Sequence, residues 1–510
     1  MDSLVDGYSK ISDNPPAAWV IPKMIEDRID PQPFLPRLVA MEQILTSNHE
    51  WKYLADTLRS KSDLTGGATP LGANYLDKGI RFIRTQDVTP NWIELSDVVF
   101  ISDQDHQSLK RSALQENDVL LTITGALFGQ AAVVRKACLP ANISQHSVRM
   151  HFKDNLDPHF VSTYLNSSYG QAQIQRQKVG ATRSAIDYEG IKKLKILIPT
   201  PEIQTYIGDK VRLAEWCREE AQQSWKKARE ILEGVLKFKL DASTFETRDK
   251  LSVSTGQYIV ENFAPAIFRV SPSLVDHQIG VQYFHPRRAR AVMLLQKSGL
   301  ILETLSTVAK RKSNRIAAQT AQDKGIPFIG LASIDQQTGV IDTSVDDDEK
   351  ISGSSALLKP KDILFSKLRP YLNKVSICPE HFAEAYGSTE LLAYETKPKY
   401  DPYYIYYIVK CPLTLYQVLD ITSGATHPRV DPENVDEVVI PICDDDTQQQ
   451  IANLTRECLW LLYRAKDLVA EAKSDVEKLI EGKLDTEGIM AGRLKAPTWE
   501  GIQANLEERA

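Results

Sequence analysis

Residues 203–240 carry the pattern that decides the fold, and they read IQTYIGDKVRLAEWCREEAQQSWKKAREILEGVLKFKL. Apolar or small side chains recur at alternating steps of four and three residues, with Arg218 as the one polar interruption. This heptad pattern predicts a helix with a seam for a partner helix. The seam consists of Ile207, Val211, Ala214, Ala221, Trp225, Ala228, Leu232 and Val235. At about 1.5 Å per residue the helix would be about 55 Å long, which exceeds the interior of a compact domain.

A second seam repeats the first at an offset of 244 residues. It consists of Ile451, Thr455, Cys458, Leu462, Ala465, Val469, Ala472, Val476 and Leu479. Arg218 corresponds to Leu462, which predicts that the second helix is the better buried of the two. We expect the two helices to pack together through Ile207, Val211, Trp225, Leu232, Ile451, Leu462, Val469 and Leu479.

The segments before the two helices also correspond, so the chain is predicted to be a tandem duplication. The offset of 244 holds from the turn at Asp118 and Asp362 to the helix ends. The matching segments are Asn117–Leu121 with Lys361–Phe365, Gly180–Arg183 with Gly424–His427, Gly79–Ile83 with Gly325–Ile329, and Ile29–Arg37 with Ile279–Arg287. Strand-like runs in both copies predict an α+β fold with two similar globules of mixed sheet and helices. The two long helices would separate them as an antiparallel coiled coil with pseudo-two-fold symmetry.

The predicted boundaries follow from this order. They are an irregular, polyproline-like N-terminal arm (1–28), a first globule (29–201), a long helix (202–240), a linker (241–278), a second globule (279–443), a second long helix (444–482) and a tail with at most partial order (483–510). The tetrapeptide Asp13–Pro16 resembles a catalytic motif of amino-methyltransferases. Ala17 stands where that motif has an aromatic residue, and no glycine-rich loop precedes it, so we reject this reading.

Composition limits the class of protein. The 510 residues suit two to four domains, and no run of eighteen apolar residues predicts a membrane span. The N-terminus lacks the apolar core of a signal peptide, and the six cysteines form no CxxC pair, which favours a cytoplasmic protein without a zinc site. With a net charge of −6, any binding of nucleic acid must depend on local cationic patches or on a partner.

No motif of an enzyme stands out. The chain has no GxxxxGK[ST] loop and no HExxH pair. Asp346–Glu349 is read as a solvated acidic run, and Asp444–Asp446 as favouring the N-terminus of the second long helix rather than binding metal. We therefore expect no catalysis, metal or cofactor in this chain.

The ordered motifs resemble those of the specificity subunits of type I restriction–modification enzymes, over roughly Ile29 to Gly482. The first copy carries Gly66–Pro70, Gly79–Ile83, Asn117–Thr122, Gly125–Gly129, Asn142–Gln145, Gly180–Thr182 and Pro199–Gln204. The second copy has Leu368–Lys374 and Gly387–Glu390, but Lys310–Arg315 replaces the glycine–threonine–proline motif. This departure is what two different half-sites would produce.

The resemblance implies that each globule is a target recognition domain reading part of an asymmetric, split DNA sequence. The helices would dock two DNA adenine methyltransferase subunits, which would bind S-adenosylmethionine, and motor-nuclease subunits could join in a complex that defends against phage. The alternative is a coiled-coil scaffold of another multi-protein defence complex, which the acidic composition mildly favours. A nuclease is a third and minor alternative.

Candidate DNA-binding residues follow from the side chains that suit phosphates and base edges. In the first copy they are Arg81, Arg84, Gln145 and Arg183. In the second copy they are Lys310, Arg311, Lys312, Arg315, Lys367, Arg369, Tyr371, His427 and Arg429. For each single residue the alternative is a solvated surface side chain, whereas the 310–315 cluster favours an anionic ligand.

Overall fold

The chain folds as two compact units. The first comprises residues 1–217 and 464–509, and the second comprises residues 218–463. The computed structural model describes residues 8–13, 16–20, 32–70, 72, 75–180, 184–246, 258–263, 266–270, 281–346 and 353–507. Both unit boundaries fall inside long helices, so each helix contributes one half to each unit.

Helices and strands of the first copy run up to residue 236. The helices are α1 (Pro36–Asn48), α2 (Leu54–Thr57), α3 (Asp103–Ser108), α4 (Pro158–Asn166), α5 (Ser168–Arg176), α6 (Tyr188–Lys192) and α7 (Pro201–Leu236). The strands are β1 (Tyr8–Asp13), β2 (Pro16–Val20), β3 (Trp51–Tyr53), β4 (Leu64–Gly66), β5 (Ile80–Ile83), β6 (Val88–Thr89), β7 (Trp92–Ile93), β8 (Val99–Ile101), β9 (Val119–Thr122), β10 (Ala131–Val133), β11 (Ala141–Ile143), β12 (Ser147–Met150) and β13 (Lys195–Leu197).

The rest of the chain follows a similar order with local differences, and it ends in the two helices of the tail. Its helices are α8 (Ala242–Glu246), α9 (Pro286–Ser298), α10 (Leu305–Val308), α11 (Ala318–Asp323), α12 (Pro402–Lys410), α13 (Pro412–Val418), α14 (Pro432–Asp436), α15 (Asp445–Ile480), α16 (Thr486–Met490) and α17 (Trp499–Glu507). Its strands are β14 (Tyr258–Phe263), β15 (Ala266–Val270), β16 (Ile301–Thr304), β17 (Ala309–Arg311), β18 (Arg315–Ala317), β19 (Phe328–Ile329), β20 (Ser354–Leu358), β21 (Ile363–Ser366), β22 (Val375–Ile377), β23 (Ala385–Gly387), β24 (Leu391–Thr396), β25 (Thr422–Ser423), β26 (Arg429–Val430) and β27 (Val439–Ile442).

The sheets confirm the duplication. In the first unit a four-stranded sheet has the order β10-β9-β12-β4, and the second unit contains the corresponding order β22-β21-β24-β17. Both are antiparallel throughout. A second sheet in each unit contains one parallel pair, β5 with β11 and β19 with β23. The predicted α+β class with two similar globules is therefore confirmed.

The turn before the central strand is the same in both units. Asn117 and Lys361 are left-handed, with φ of 69° and 70°. The carboxylates of Asp118 and Asp362 each accept a hydrogen bond from the backbone N–H three residues upstream, that of Gln115 at 2.7 Å and that of Lys359 at 2.6 Å. These hydrogen bonds within the turn give each buried carboxylate a donor, and the central strand begins at the next residue.

The two long helices pack together as predicted. In the first unit Ile207 and Val211 share a core with Val476, and the Lys210 Nζ lies 2.6 Å from Asp475 Oδ2. In the second unit Leu232 shares a core with Ile451, and the helices are joined by a hydrogen bond from Ser224 to Glu457 at 3.2 Å. Residue numbers rise along one helix as they fall along the other, so the pairing is antiparallel.

The helices are also built into the cores of their units. Side chains of α7 pack with those of strands and of α4 in the first unit, and with those of α12 in the second. The predicted seam residues Ile207, Val211, Leu232, Ile451, Val469 and Leu479 are buried, while Trp225 and Leu462 are half-buried. Arg218 and Leu462 are both half-buried, so this pair of positions does not show which of the two helices is better buried.

Two predictions at the ends of the copies are wrong. Residues 8–20 are not a polyproline arm, since β1 and β2 pair as an antiparallel hairpin, and β14 and β15 form its counterpart within the predicted linker. The tail is ordered over 483–507, where α16 and α17 bury Ile489 and Ile502. A ring contact between Trp216 and Trp499, with centroids 5.9 Å apart, fixes α17 within the first unit.

Candidate nucleic-acid interface

Three segments of the second unit converge on one polar surface. The Arg369 N–H donates to Pro428 O at 2.7 Å, the Val430 N–H to Lys367 O at 3.0 Å, and the Lys367 N–H to Glu390 O at 3.0 Å. These backbone contacts hold the loop after β21, the turn before β24 and the β25–β26 hairpin together. The side chains they gather are those of Lys367, Arg369, Tyr371, Glu390, His427 and Arg429, which we call the second-unit surface.

Glu390 lies among the cations of the second-unit surface. Its carboxylate accepts from Arg429 Nη2 at 2.9 Å and Nε at 3.1 Å, and it lies 3.9 Å from Lys367 Nζ. The paired Glu390 raises the pKa of Arg429, which is already charged at any physiological pH. Three cations and one carboxylate leave a net positive charge here, in a chain that is acidic overall. His427 and Tyr371 complete the surface as exposed side chains, with Tyr371 51% exposed.

The first unit has a corresponding surface with different side chains. The Ile123 N–H donates to His146 O at 2.9 Å and the Ile186 N–H to Ile123 O at 3.1 Å, which repeats the second-unit contacts at the offset of 244. We call Thr69, Thr124, Gln145 and His146 the first-unit surface. Thr124 Oγ1 lies 2.9 Å from His146 Nδ1, and the Thr69 hydroxyl donates to the Gln145 side-chain oxygen.

The glycine pair before Thr69 makes this arrangement possible. A Cβ on Gly67 would lie 2.1 Å from Ser144 O, and a Cβ on Gly66 would lie 2.0 Å from the Tyr188 hydroxyl. The Gly67 N–H donates to Ser147 O at 3.0 Å, so the loop passes directly against the strand. The backbone on both sides of this contact requires glycine at position 67, and the close approach brings the threonine of the motif to the exposed Gln145.

Several predicted DNA-binding side chains have protein partners. Arg84 lies 3.2 Å from Asp87 and 3.6 Å from Asp97, and the Arg81 guanidinium donates to Leu139 O at 3.2 Å. In the second copy Arg311 lies 3.1 Å from Asp436, and Arg315 donates to Ser354 O at 2.9 Å. These groups remain candidates only where DNA can compete with those partners.

The structure contradicts the prediction that Lys312 binds DNA. Its side chain is 7% exposed and its Nζ lies 2.6 Å from the carboxylate of Asp362, so it stabilises a buried charge instead of facing solvent. Lys310, which lies within β17, is exposed, and its side chain has no ion pair with any described residue. The predicted 310–315 cluster is therefore divided between interior and surface, because Lys312, which follows β17, pairs with the buried Asp362, whereas Lys310 is exposed. Arg183 lies outside the described residues, as do residues 347–349 of the acidic run.

Sequence reasoning missed Thr69, Thr124, His146 and Glu390 as members of these surfaces. The offset of 244 could have found two of them, because it relates Glu390 to His146.

The run Asp444–Asp446 does what was predicted, since Asp444 Oδ1 accepts from the Thr447 N–H at 2.9 Å at the start of α15. Across the described ranges, no group of three or more His, Cys, Asp or Glu side chains could hold a metal ion. Among the described residues, no helix combines the length and apolar composition that crossing a membrane requires.

Comparison with known proteins shows what this chain resembles. Residues 60–212 match the sequence model of the type I restriction modification DNA specificity domain. Over this stretch the chain is similar to the DNA specificity domain of type I restriction–modification enzymes. The matched region includes the first-unit surface and the first part of α7, so the resemblance expected from the ordered motifs is confirmed.

A curated protein similar to this chain is the type I restriction enzyme EcoBI specificity subunit of Escherichia coli. It is 26% identical over 159 residues, which cover 31% of this chain and 33% of that subunit, so the match spans about a third of the relative. The crystal structure of the type I restriction–modification S subunit from M. genitalium aligns with 86% of this chain and 97% of that chain, at 12% identity and a TM-score of 0.41. The HsdS subunit from Thermoanaerobacter tengcongensis aligns at 12% identity and a TM-score of 0.27, over 86% of this chain and 98% of that one.

Proposed function

We propose that this chain is the sequence-reading, non-catalytic subunit of a type I restriction–modification complex, in which each unit reads one half of a bipartite, asymmetric DNA site. The observation that carries the proposal is the duplication of the specificity domain. The sheet order β10-β9-β12-β4 of the matched region recurs as β22-β21-β24-β17. A repeated reading domain supplies two surfaces, and two surfaces suit two half-sites.

The difference between the two surfaces supports asymmetry of the site. The first-unit surface offers an amide, two hydroxyls and an imidazole, whereas the second-unit surface offers three cations around a carboxylate. Glutamine suits adenine and arginine suits guanine, so equal half-sites would not match these surfaces equally well. Phosphate contacts from exposed cations such as Lys310 would add affinity without sequence information.

DNA adenine methyltransferase subunits are the proposed partners, two of them, with S-adenosylmethionine bound in the partner and a motor-nuclease subunit in the complete enzyme. The paired helices α7 and α15 are the proposed docking element. Their buried faces are committed to each other and to the unit cores, which leaves their polar faces for a partner. The chain itself would contribute recognition and assembly, and the partners would contribute the chemistry.

The test is methylation of a randomised duplex library by this chain purified together with a type I adenine methyltransferase subunit. Sequencing of the methylated adenines should reveal two specified stretches separated by unread base pairs. Either protein alone provides the control and should not methylate that motif. Methylation without any bipartite preference, or methylation that does not need this chain, would overturn the proposal.

A further inference from the structure

Arg369 has a backbone conformation that arginine rarely adopts. Its φ of 48° and ψ of 60° are left-handed, and it precedes Pro370 in the loop after β21. At the corresponding position the first unit has Gly125, with φ of 99°, and the later pair Gly129 and Asn373 is also left-handed in both units. The loop therefore needs two left-handed residues, and glycine meets this need without strain. An arginine costs free energy at this point, which raises the question of what its side chain does.

The side chain of Arg369 has no hydrogen bond or ion pair to any described residue. Its Nε is buried and has no hydrogen-bond partner. The backbone, in contrast, is fixed, because the Arg369 N–H donates to Pro428 O at 2.7 Å and its carbonyl accepts from the Leu372 N–H at 2.9 Å. The fixed backbone sets the point from which the side chain extends, and the buried Nε is a donor left without a partner, which is unfavourable.

The neighbouring charges are already paired. Glu390 accepts two hydrogen bonds from Arg429, at 2.9 Å and 3.1 Å, and lies 3.9 Å from Lys367. Arg369 is thus the arginine of the second-unit surface whose donors remain for a ligand. A carboxylate within the same surface repels phosphate, which disfavours a surface built only to hold the DNA backbone.

We infer that Arg369 reads a guanine in the half-site contacted by the second unit. The inference rests on the proposed function, since it requires that this unit bind duplex DNA. The guanidinium fork matches the two major-groove acceptors of guanine, O6 and N7, which no other base presents together. The Glu390 carboxylate suits the amino group of the paired cytosine, which donates in the same groove. The first unit, with Gly125, His146 and Ala185 at the positions of Arg369, Glu390 and Arg429, contains none of these charged groups.

The experiment uses the full chain in complex with the methyltransferase subunit, and the methylated motif of the wild-type complex defines the two half-sites. Duplexes carrying each single base-pair change are then tested for binding and methylation by wild type, R369G and R369K. R369G suits the left-handed backbone, as Gly125 does in the first unit, and so removes the side chain without disturbing the loop. R369K keeps the charge and loses the fork.

K399Q is the matched control for loss of one positive charge. Lys399 is exposed and follows the C-terminal end of β24, whereas Glu390 precedes the N-terminal end of the same strand. At about 3.3 Å per residue the six-residue strand separates the two positions by a distance that direct contact cannot span.

The expected result is that both R369G and R369K lose discrimination at one G·C base pair by roughly tenfold to a hundredfold. The other half-site should stay as strictly read as in wild type, and K399Q should retain the whole specificity. Uniform weakening by R369G on all sequences, with a shallower salt dependence and full discrimination, would identify a phosphate contact and overturn the inference. Unchanged discrimination in both variants would also overturn it. A wild-type complex without a bipartite motif would instead refute the proposed function.

Discussion

Each unit has a buried aspartate at the start of its central strand, and the side chains that pair with it come from different strands in the two units. Asp118 in the first unit lies 2.9 Å from His151 Nδ1 and 3.6 Å from Arg149 Nη1, both on or just after β12. Asp362 in the second unit lies 2.6 Å from Lys312, which follows β17. Opposite Arg149 the first unit has Thr65, and opposite Lys312 the second has Ala393. The cation has moved to the neighbouring strand, while the carboxylate and its turn are the same.

The comparison shows that both units keep a cationic partner for the buried carboxylate, although the residue that supplies it differs. Burial raises the pKa of Asp118 and also that of Asp362, against the opposing effect of their partners. Each carboxylate is therefore costly without a cation. The exposed loops around these sheets carry no such constraint, which explains why the two surfaces differ in charge.

Exchange of the cation tests this comparison most strongly. Lys312→Thr, which introduces the first unit's residue, should destabilise the second unit by about 3–5 kcal/mol at neutral pH, because Asp362 would be a buried charge without its partner. Denaturation of the full chain by guanidinium measures the loss. The loss should shrink as pH falls, since the raised pKa of Asp362 means that the folded state gains a proton before the unfolded state does.

The double variant Lys312→Thr with Ala393→Arg is the matched control. It places arginine at the position that corresponds to Arg149, on the neighbouring strand β24, and should recover part of the lost stability. A Lys312→Thr variant as stable as wild type would show that the ion pair is dispensable and would break the comparison.

A second difference lies at the C-terminal end of α4 and α12. Asn166 donates to Asn91 Oδ1 at 2.8 Å in the first unit, whereas Lys410 takes this place in the second and donates to the carbonyls of Gln336 and Asn373, both at 2.8 Å. Burial lowers the pKa of Lys410 to about 7. Between pH 7 and the ordinary lysine pKa the unfolded chain binds a proton that the folded chain lacks, so stability should rise with pH.

The expected slope is up to about 1.4 kcal/mol per pH unit from pH 7 to 9. Urea denaturation at three pH values would measure it, and Lys410→Asn, with the first unit's residue, should flatten it. Lys399→Gln, at an exposed lysine, should leave the slope intact. A slope that persists in Lys410→Asn would assign the pH dependence to another group.

Glu390→Gln sharpens the comparison of the two surfaces, with the smallest expected effect. Removal of the carboxylate frees Arg429 and Lys367 and should raise affinity for random duplex DNA severalfold, with a log–log salt slope steeper by up to about 0.9. Fluorescence anisotropy at several salt concentrations measures both. His146→Gln, at the corresponding position of the first unit, removes no carboxylate and should change neither. Weaker or unchanged binding by Glu390→Gln would show that Glu390 does not restrain these cations.

Much of the fold was predictable from particular residues. The seams from Ile207 and from Ile451 predicted two long helices, and the turn at Asp118 and Asp362 predicted matching strands. The hairpin at residues 8–20 was missed because its prolines suggested an extended arm, yet Pro16 begins a strand, a position at which proline is tolerated. The helices of the tail were missed because its glycines and proline are typical of loops, and short helices give little periodic pattern to set against them.

The candidate site was less predictable. Lys312 and Lys310 belong to one run of cations, but only the contact of Lys312 with Asp362 in the folded chain shows that one is buried and the other exposed. Arg369 was a candidate by residue type, whereas its left-handed backbone and unpaired Nε depend on the hairpin that holds the loop. Charge clusters in a sequence do not reveal which members have partners within the protein.

The sequence by itself determined the duplication, the two long helices and the absence of familiar enzyme motifs, because heptad spacing and a constant offset are local, one-dimensional patterns. Tertiary structure decided which halves of the helices belong to which unit and which cations remain available for a ligand. The physical reason is that exposure and ion pairing arise from contacts between segments far apart in the chain, such as Lys367, Glu390 and Arg429.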